Sequence, residues 1–529
     1  MKNILSLVLL ATSLISAQAQ PARDLGPVEK FNALMFHIQR SYVDEVDADK
    51  LVEAAIEALL EELDPHSMYI SSEEIREMNE PLEGNFEGIG VQFNIMRDTI
   101  VVVSPIAGGP SEKLGILSGD RIVMIEGENV AGVGIKNRDV MRLLKGKKGT
   151  QVTVGINRKN ISGILDFTIT RDKIPIYSVD AHYMATPEVG YIKVNRFAAT
   201  TMDEFRKALK ELNEQGMQDL ILDLQGNGGG LLKAAVEMAD EFLEGQKMIV
   251  YTEGRAYPRR DTKARVNGNF EKGRLVILID EGSASASEIV SGAVQDWDRG
   301  LIIGRRSFGK GLVQRPIELP DSSVVRLTVQ RYYTPSGRSI QKPYTEGVKA
   351  YKSEKFERFF KGELTSADSI NLPDSLKYYT SRNRLVYGGG GIMPDIFVPL
   401  DTSAFSDFNT ALIRKGVFNQ FSLDYTEKHR KALLKKFPKV SDFIEGFNME
   451  DDITSSFFAF AEKEGVEFNK EEYDRSKQLI DNRLKALIAR NLWNTSAYYQ
   501  VYNPFWPIYQ RAIEVLEGDA YNAVNLADY

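Results

Sequence analysis

The chain has 529 residues, 43% of them hydrophobic and 26% charged, which is ordinary globular material long enough for roughly three or four domains. Its net charge of −8 excludes the basic footprint of a nucleic-acid binder. With no cysteine there is no disulfide framework, thiolate metal site or lipid-bearing cysteine, and the four scattered histidines suggest no metal cage, so no cofactor is indicated.

Lys2, the mostly apolar run from Ile4 to Ile15 and the small-x-small triplet Ala17-Gln18-Ala19 read as a signal peptide over 1–19. The apolar core falls short of the roughly 20 residues a bilayer span needs. An uncleaved anchor is the rival reading. The expectation is therefore an exported, periplasmic protein with at most peripheral membrane association. Residues 20–85 form a helical N-terminal region, with Phe31, Leu34 and Ile38, then Leu51, Ala55, Ile56 and Leu59, at helical spacing. Asp64-Pro65-His66-Ser67 breaks that pattern, and His66 reads as a structural hydrogen-bonding residue rather than a base.

Residues 86–172 change character. Short strands are predicted at Gly88 to Phe93, Thr99 to Val103, Gly119 to Ile122, Gln151 to Ile156 and Asp166 to Thr170, with a helix over Asp139 to Leu144. With Pro105-Ile106-Ala107-Gly108-Gly109-Pro110-Ser111 between them, this order resembles a PDZ domain of the bacterial protease type. Such domains receive a chain terminus by strand addition, and Gly88, Ile89, Gly90 and Val91 would form the carboxylate-binding loop. An apolar terminal side chain suits the neighbourhood of Ile89, Val91 and Leu143.

From 173 to 400 the pattern is α/β. Thr201-Met202-Asp203-Glu204 is a capping box opening a helix that Gly216 closes. Leu220 to Leu224 is a buried strand running into Gly226-Asn227-Gly228-Gly229-Gly230, followed by a helix over Leu231 to Leu243. Leu275 to Asp280 is a second strand, leading through Gly282-Ser283-Ala284-Ser285-Ala286-Ser287-Glu288 into a helix that ends near Trp297. Ser285 thus stands where unpaired N–H groups favour negative charge. Twenty-five positions later comes Lys310, and four after that Gln314: a nucleophile, a candidate base and a polar group able to orient the base. The amide of Ala286 and one from Gly228 or Gly229 are natural donors to an oxyanion.

Each motif has a plainer reading. Ser285-x-x-Glu288 is itself a capping box, and residues alone do not choose among Ser283, Ser285 and Ser287. Gly304 to Lys310 has the spacing of a phosphate-binding loop, but Gly311 stands where Ser or Thr is required and Pro316 and Pro320 replace the following helix. Residues 344–379, rich in charge, read as an exposed insertion with a solvated face. Residues 401–529 read as a helical C-terminal region. There Trp493, Tyr498, Tyr499, Phe505 and Trp506 are either core or the exposed anchors of a dimer or adaptor surface, so a homo-oligomer is possible.

Leu220 to Gly230, Ser283 to Ile289, Ser307-Phe308-Gly309-Lys310-Gly311-Leu312-Val313-Gln314, Tyr333 to Ile340 and Gly390-Gly391-Ile392-Met393-Pro394-Asp395 together resemble the C-terminal processing peptidases, or tail-specific proteases. The resemblance covers roughly residues 28 to 400. It implies a multidomain α/β (α+β) chain: a PDZ domain, a crotonase/ClpP-like protease core and helical terminal regions. It further implies Ser285 as nucleophile, Lys310 as general base, Gln314 as the residue holding the lysine, and a backbone oxyanion hole from Ala286 and a glycine in 228 to 230. The partners implied are protein or peptide substrates with free C-termini. Gln225 departs from the arginine many relatives carry. Phe308 and neighbouring apolar residues are the expected source of the burial that would lower the pKa of Lys310. A noncatalytic peptide-binding scaffold on the same architecture is the rival from another class.

Overall fold

The computed structural model describes residues 26–529 apart from Ala107, Asn160, Val266, Glu450, Asn525, Asp528 and Tyr529. The leader expected over 1–19 lies outside the described residues. The chain divides after Glu62 into two compact units. The first contributes helices Gly26–Ser41 and Ala48–Glu61, the second of which is capped by Asp47 accepting from the Lys50 amide at 3.2 Å.

The larger unit is built on a six-stranded sheet in the order Val179–Met184, Val189–Val194, Asp219–Asp223, Leu275–Ile279, Leu301–Gly304, Ile396–Phe397. The first pair is antiparallel and the rest are parallel. Central strands such as Leu-Val-Ile-Leu-Ile at Leu275–Ile279 are apolar at every position because both faces are covered. One face packs on helices Thr201–Glu214, Leu232–Asp240 and Ala286–Asp296, through side chains including Leu222, Ile277 and Ile302. Ile221, Val276, Leu278 and Ile303 point the other way.

That second face is covered by the end of the chain. Ile508, Tyr509, Ala512, Val515 and Leu516 of helix Pro507–Glu517 close over it, so residues 401–529 do not stand apart from the protease body. Residues 407–502 form their own helical core, with Phe443, Leu484 and Ile488 fully buried. Trp493 and Tyr498 pack against that core, and Tyr499 and Trp506 against the sheet, so four of the five candidate anchors are packing residues; Phe505 is 43% exposed.

A second sheet carries Lys310's side of the molecule: strand Val324–Tyr333 pairs with Leu312–Glu318, with Met248–Gly254 and with the short Met68–Ile70. The residues just after Leu63 therefore belong to the protease body rather than to a separate helical region. The PDZ module is entered and left through one antiparallel pair, Asn85–Gly88 with Asp172–Pro175. Its sheet runs Val91–Ile95, Ile100–Pro105, Arg121–Ile125, Gln151–Asn157, Leu165–Thr170, which leaves Val91–Ile95 as an edge strand beside helix Asn137–Leu144.

Candidate active site

The strand Leu275–Ile279 delivers its chain into a turn whose side chains are nearly all committed. Asp280 Oδ1 accepts from the amides of Gly226 (2.8 Å) and Gly282 (2.9 Å), tying this turn to the glycine loop. Ser283 Oγ donates to the Leu224 carbonyl and Ser287 Oγ to the Asn227 carbonyl, each at 2.8 Å, and both serines are fully buried. Ser285 is the member of the trio that lines a cavity of about 460 Å³. These hydrogen bonds commit Ser283 and Ser287 to backbone carbonyls, and of the three serines Ser285 is the one at the cavity.

Ser285 has φ 55° and ψ −110°, a conformation that L residues rarely adopt and that costs on the order of 1–3 kcal/mol. Its neighbours hold it there. Glu288 Oε2 accepts from the Ser285 amide at 2.7 Å and from the Lys310 amide at 2.9 Å, while Oε1 accepts from Ser307 Oγ at 2.5 Å and the Gly309 amide at 2.7 Å. One fully buried carboxylate thus fastens both candidate catalytic residues by their backbones. Burial raises its pKa to about 7, against the opposing pull of those donors. The Tyr332 hydroxyl lies against the carbonyls of both Ser285 (3.0 Å) and Lys310.

The amide of Ala286 heads the helix Ala286–Asp296, where N–H groups lack intrahelical partners, and Ala286 and Gly228 both line the cavity. Gly229 plays another part than the expected donor: its amide is already given to Asn227 Oδ1 at 2.9 Å. Its use is steric. A Cβ there would come 2.8 Å from Ser285 Cβ and 3.0 Å from the Ala286 nitrogen, and its φ of +100° suits glycine alone.

Lys310 lines the same cavity, just before the strand Leu312–Glu318. Burial pushes its pKa down, with the carboxylates of Asp64 and Glu288 pulling the other way. Among the described residues no hydrogen bond or ion pair engages its Nζ, and none joins it to Ser285 Oγ. Gln314 also lines the cavity, but its side-chain amide donates to the His66 carbonyl rather than to Lys310. Phe308 is likewise turned elsewhere: its ring lies 4.1 Å from Lys342 Nζ and packs edge-on to Tyr351.

Two regions of the site escaped the sequence reading. The Asp64–Ser67 break sits beside Lys310: Asp64 accepts from Ser67 and Thr328, and His66 Nε2 bonds to the Tyr351 hydroxyl at 2.8 Å. Burial, and then the charge of Lys310, lowers the His66 pKa to about 4, so its ring is neutral at ordinary pH. The charged insertion is more than a solvated face. Its helix Gly347–Phe360 buries Tyr351 and Arg358, and Arg358 donates to the carbonyls of Ser307 (2.7 Å) and Phe308 (3.2 Å), bracing the loop that carries Lys310. Their spacing of seven residues on one helix face was the available signal.

In the PDZ module Gly88 ends the entry strand, Ile89 and Gly90 form the loop, and Val91 opens the edge strand. Ile89 is buried in the module's core, with Val91 and Leu143 packed against it. Gly90 has φ +76°, and its carbonyl accepts from the Ile106 amide at 2.9 Å.

Gln225 accepts at Oε1 from Trp506 Nε1 at 3.0 Å, so the departure in the strand-exit motif is matched by a contact from the chain's last segments.

Comparison with known proteins matches residues 188–350 to peptidase family S41, 88–169 to the PDZ domain, 10–74 to the activating protease CtpB N-terminal domain and 408–494 to a family of unknown function. The carboxy-terminal processing protease CtpA of Bacillus subtilis is 34% identical over 66% of this chain and 78% of its own length. The carboxy-terminal-processing protease of Bartonella bacilliformis is 36% identical over 64% of this chain and 77% of its own. The solved photosystem II D1 C-terminal processing protease is 28% identical, covering 70% of this chain and 92% of its own at a TM-score of 0.36.

Proposed function

The chain belongs to peptidase family S41 as a PDZ-containing, carboxy-terminal processing serine peptidase, and we propose that it captures a substrate's free C-terminus in its PDZ domain and cleaves by a Ser285/Lys310 acyl-enzyme mechanism. In this reading neutral Lys310 takes the proton of Ser285 Oγ as that oxygen attacks the scissile carbonyl. The tetrahedral oxyanion lies toward the amides of Ala286 and Gly228. Lys310, now an ammonium, returns the proton to the leaving amine, and water releases the acyl group by the same steps in reverse. The reading requires Nζ and Oγ to come within hydrogen-bond reach when substrate fills the cavity, since catalytic hydrogen bonds are often long in unliganded enzymes.

The observation that carries it is the convergence of Ser285, strained at a helix start, and the Lys310 amine, which has no hydrogen-bond or ion-pair partner among the described residues, on a single cavity, with Glu288 fastening both backbones. The apolar run and small-x-small triplet at the start of the chain support export, which makes envelope proteins the substrates. Gln314 holds the loop through His66 rather than the lysine directly.

Incubating an unfolded reporter protein with the purified chain beside Ser285→Ala and Lys310→Arg tests the mechanism. The native chain is expected to consume the reporter and both variants to leave it intact. Equal survival with all three proteins would leave a noncatalytic scaffold.

A further inference from the structure

A second cleft, of about 760 Å³, opens between the PDZ module and the helical C-terminal region. One wall is the edge strand Val91–Ile95 with Met96 and the start of helix Asn137–Leu144; the other is residues 413–416 with Asn419 and Gln420. The edge strand pairs on one side only, with Ile100–Pro105, so its other rim of N–H and C=O groups is open to an added strand. The facing wall is held in place: Arg97 pairs with Glu464 at 2.9 Å, Lys159 with Glu427 at 3.7 Å, and Gly119 lies against the Glu427 carboxylate.

The chemistry of this cleft is one-sided. Its lining includes three cations, Lys136, Arg414 and Lys415, and no carboxylate. Lys415 Nζ donates to the carbonyls of Glu464 and Gly465 and makes no ion pair among the described residues. Carboxylates stand beside the cleft without lining it: Asp98 accepts from the amides of Gly134 and Ile135, Asp139 from that of Lys136, Glu464 is paired with Arg97, and Asp424 also acts on Arg97.

We propose that this composite cleft reads the substrate upstream of its C-terminus and selects acidic side chains there, with Arg414 and Lys136 as the specificity-determining residues. The proposal rests on the PDZ reading given above. A terminus held at residues 88 to 91 must enter antiparallel to the edge strand. At roughly 3.3 Å per residue its third to sixth positions from the end then face Phe93 to Met96 and the cations. Phe93, Ile135 and Met141 offer the apolar part of the groove, while the helical region adds a wall that the PDZ module does not itself supply.

The test uses the full chain carrying Ser285→Ala and fluorescein-labelled decapeptides that share one apolar, free C-terminus. They differ only in the third to sixth positions: two Asp, two Ser or two Lys. Anisotropy is expected to show the Asp peptide binding about five- to tenfold more tightly than the Ser peptide, the gain of two or three solvent-exposed ion pairs, with the Lys peptide weakest. Arg414→Glu together with Lys136→Glu should reverse that order, Arg414→Lys should retain it, and 0.5 M salt should flatten it. Equal affinity for the three peptides, with binding still lost on C-terminal amidation, would overturn the acidic preference and leave terminus capture standing. Amidated peptides binding as well as free ones would overturn both.

Discussion

Replacing Glu288 by Gln changes one atom and two protons' worth of chemistry at the joint between Ser285 and Lys310. The glutamate accepts four hydrogen bonds, and it bonds the amides of Ser285 and Lys310 through the same oxygen. An amide can keep its oxygen toward Ser307 and Gly309, but its NH₂ then meets two N–H donors head on. Each buried donor left unpaired costs about 1–3 kcal/mol, so the local penalty is about 2–6 kcal/mol. Relief of the buried carboxyl, whose pKa burial raises to about 7, offsets part of this penalty. Ser285, held at φ 55°, has an easy escape into ordinary helical backbone, and that relaxation withdraws the competent geometry. If 2–4 kcal/mol falls on the reactive arrangement, initial rates of reporter cleavage drop by about 30- to 1000-fold. The assay is initial-rate proteolysis of an unfolded reporter at pH 8, with thermal melting alongside. A Glu288→Gln protein within threefold of native activity and with an unshifted melting point would refute the view that this carboxylate sets the site.

The depressed Lys310 pKa makes the base form grow as pH rises, so cleavage should climb to a plateau whose midpoint lies below the ordinary lysine value of about 10.4; a midpoint at or above that value in a pH–rate profile would count against Lys310 as base. Lys310→Met should abolish cleavage yet leave the melting temperature unchanged or raised, since it removes a desolvated amine that no ion pair engages among the described residues. Ser287→Ala should keep a correctly placed nucleophile and instead lose about 1 kcal/mol of stability, measured by urea unfolding, through the bond to the Asn227 carbonyl. Deleting the chain from Pro507 onward strips Ile508, Val515 and Leu516 from the sheet, roughly 5–9 kcal/mol at about 1.5–3 each, and should yield an insoluble or molten product.

Much of the fold could be read from patterns that local physics makes obligatory. Leu275 to Ile279 is apolar throughout and must be a strand covered on both faces. The helix expected from Thr201 begins there, but without the capping box: its N-cap is Thr200, which makes no side-chain cap bond, and Thr201 Oγ1 accepts instead from the Ala198 amide. The serine-rich turn and the glycine loop were legible as turns from their own residues, whereas the choice of Ser285 and the roles given to Lys310 and Gln314 came from the family resemblance. Interactions between distant segments were not legible. Nothing near Gln314 announces that its amide reaches His66, 248 residues away, and nothing in Pro507–Glu517 distinguishes a helix that lies on a parallel sheet from one that packs on other helices. Glu288 was legible as a capping residue, but its grip on the Lys310 loop depends on where residues 307–310 return to the helix, which only the assembled structure decides.

The sheet face closed by Ile508 and Leu516 is laid down with strand Val189–Val194, some three hundred residues before its cover is synthesised. A nascent chain leaving the ribosome N-terminus first carries that greasy surface bare until its closing stretch emerges. The turn that carries Ser285 hangs from the same sheet, whose other face is buried by helices that precede this cover in the chain. The order of synthesis therefore sets the order in which the two faces of this sheet can be buried, the helix-covered face first and the face under Ile508 and Leu516 later.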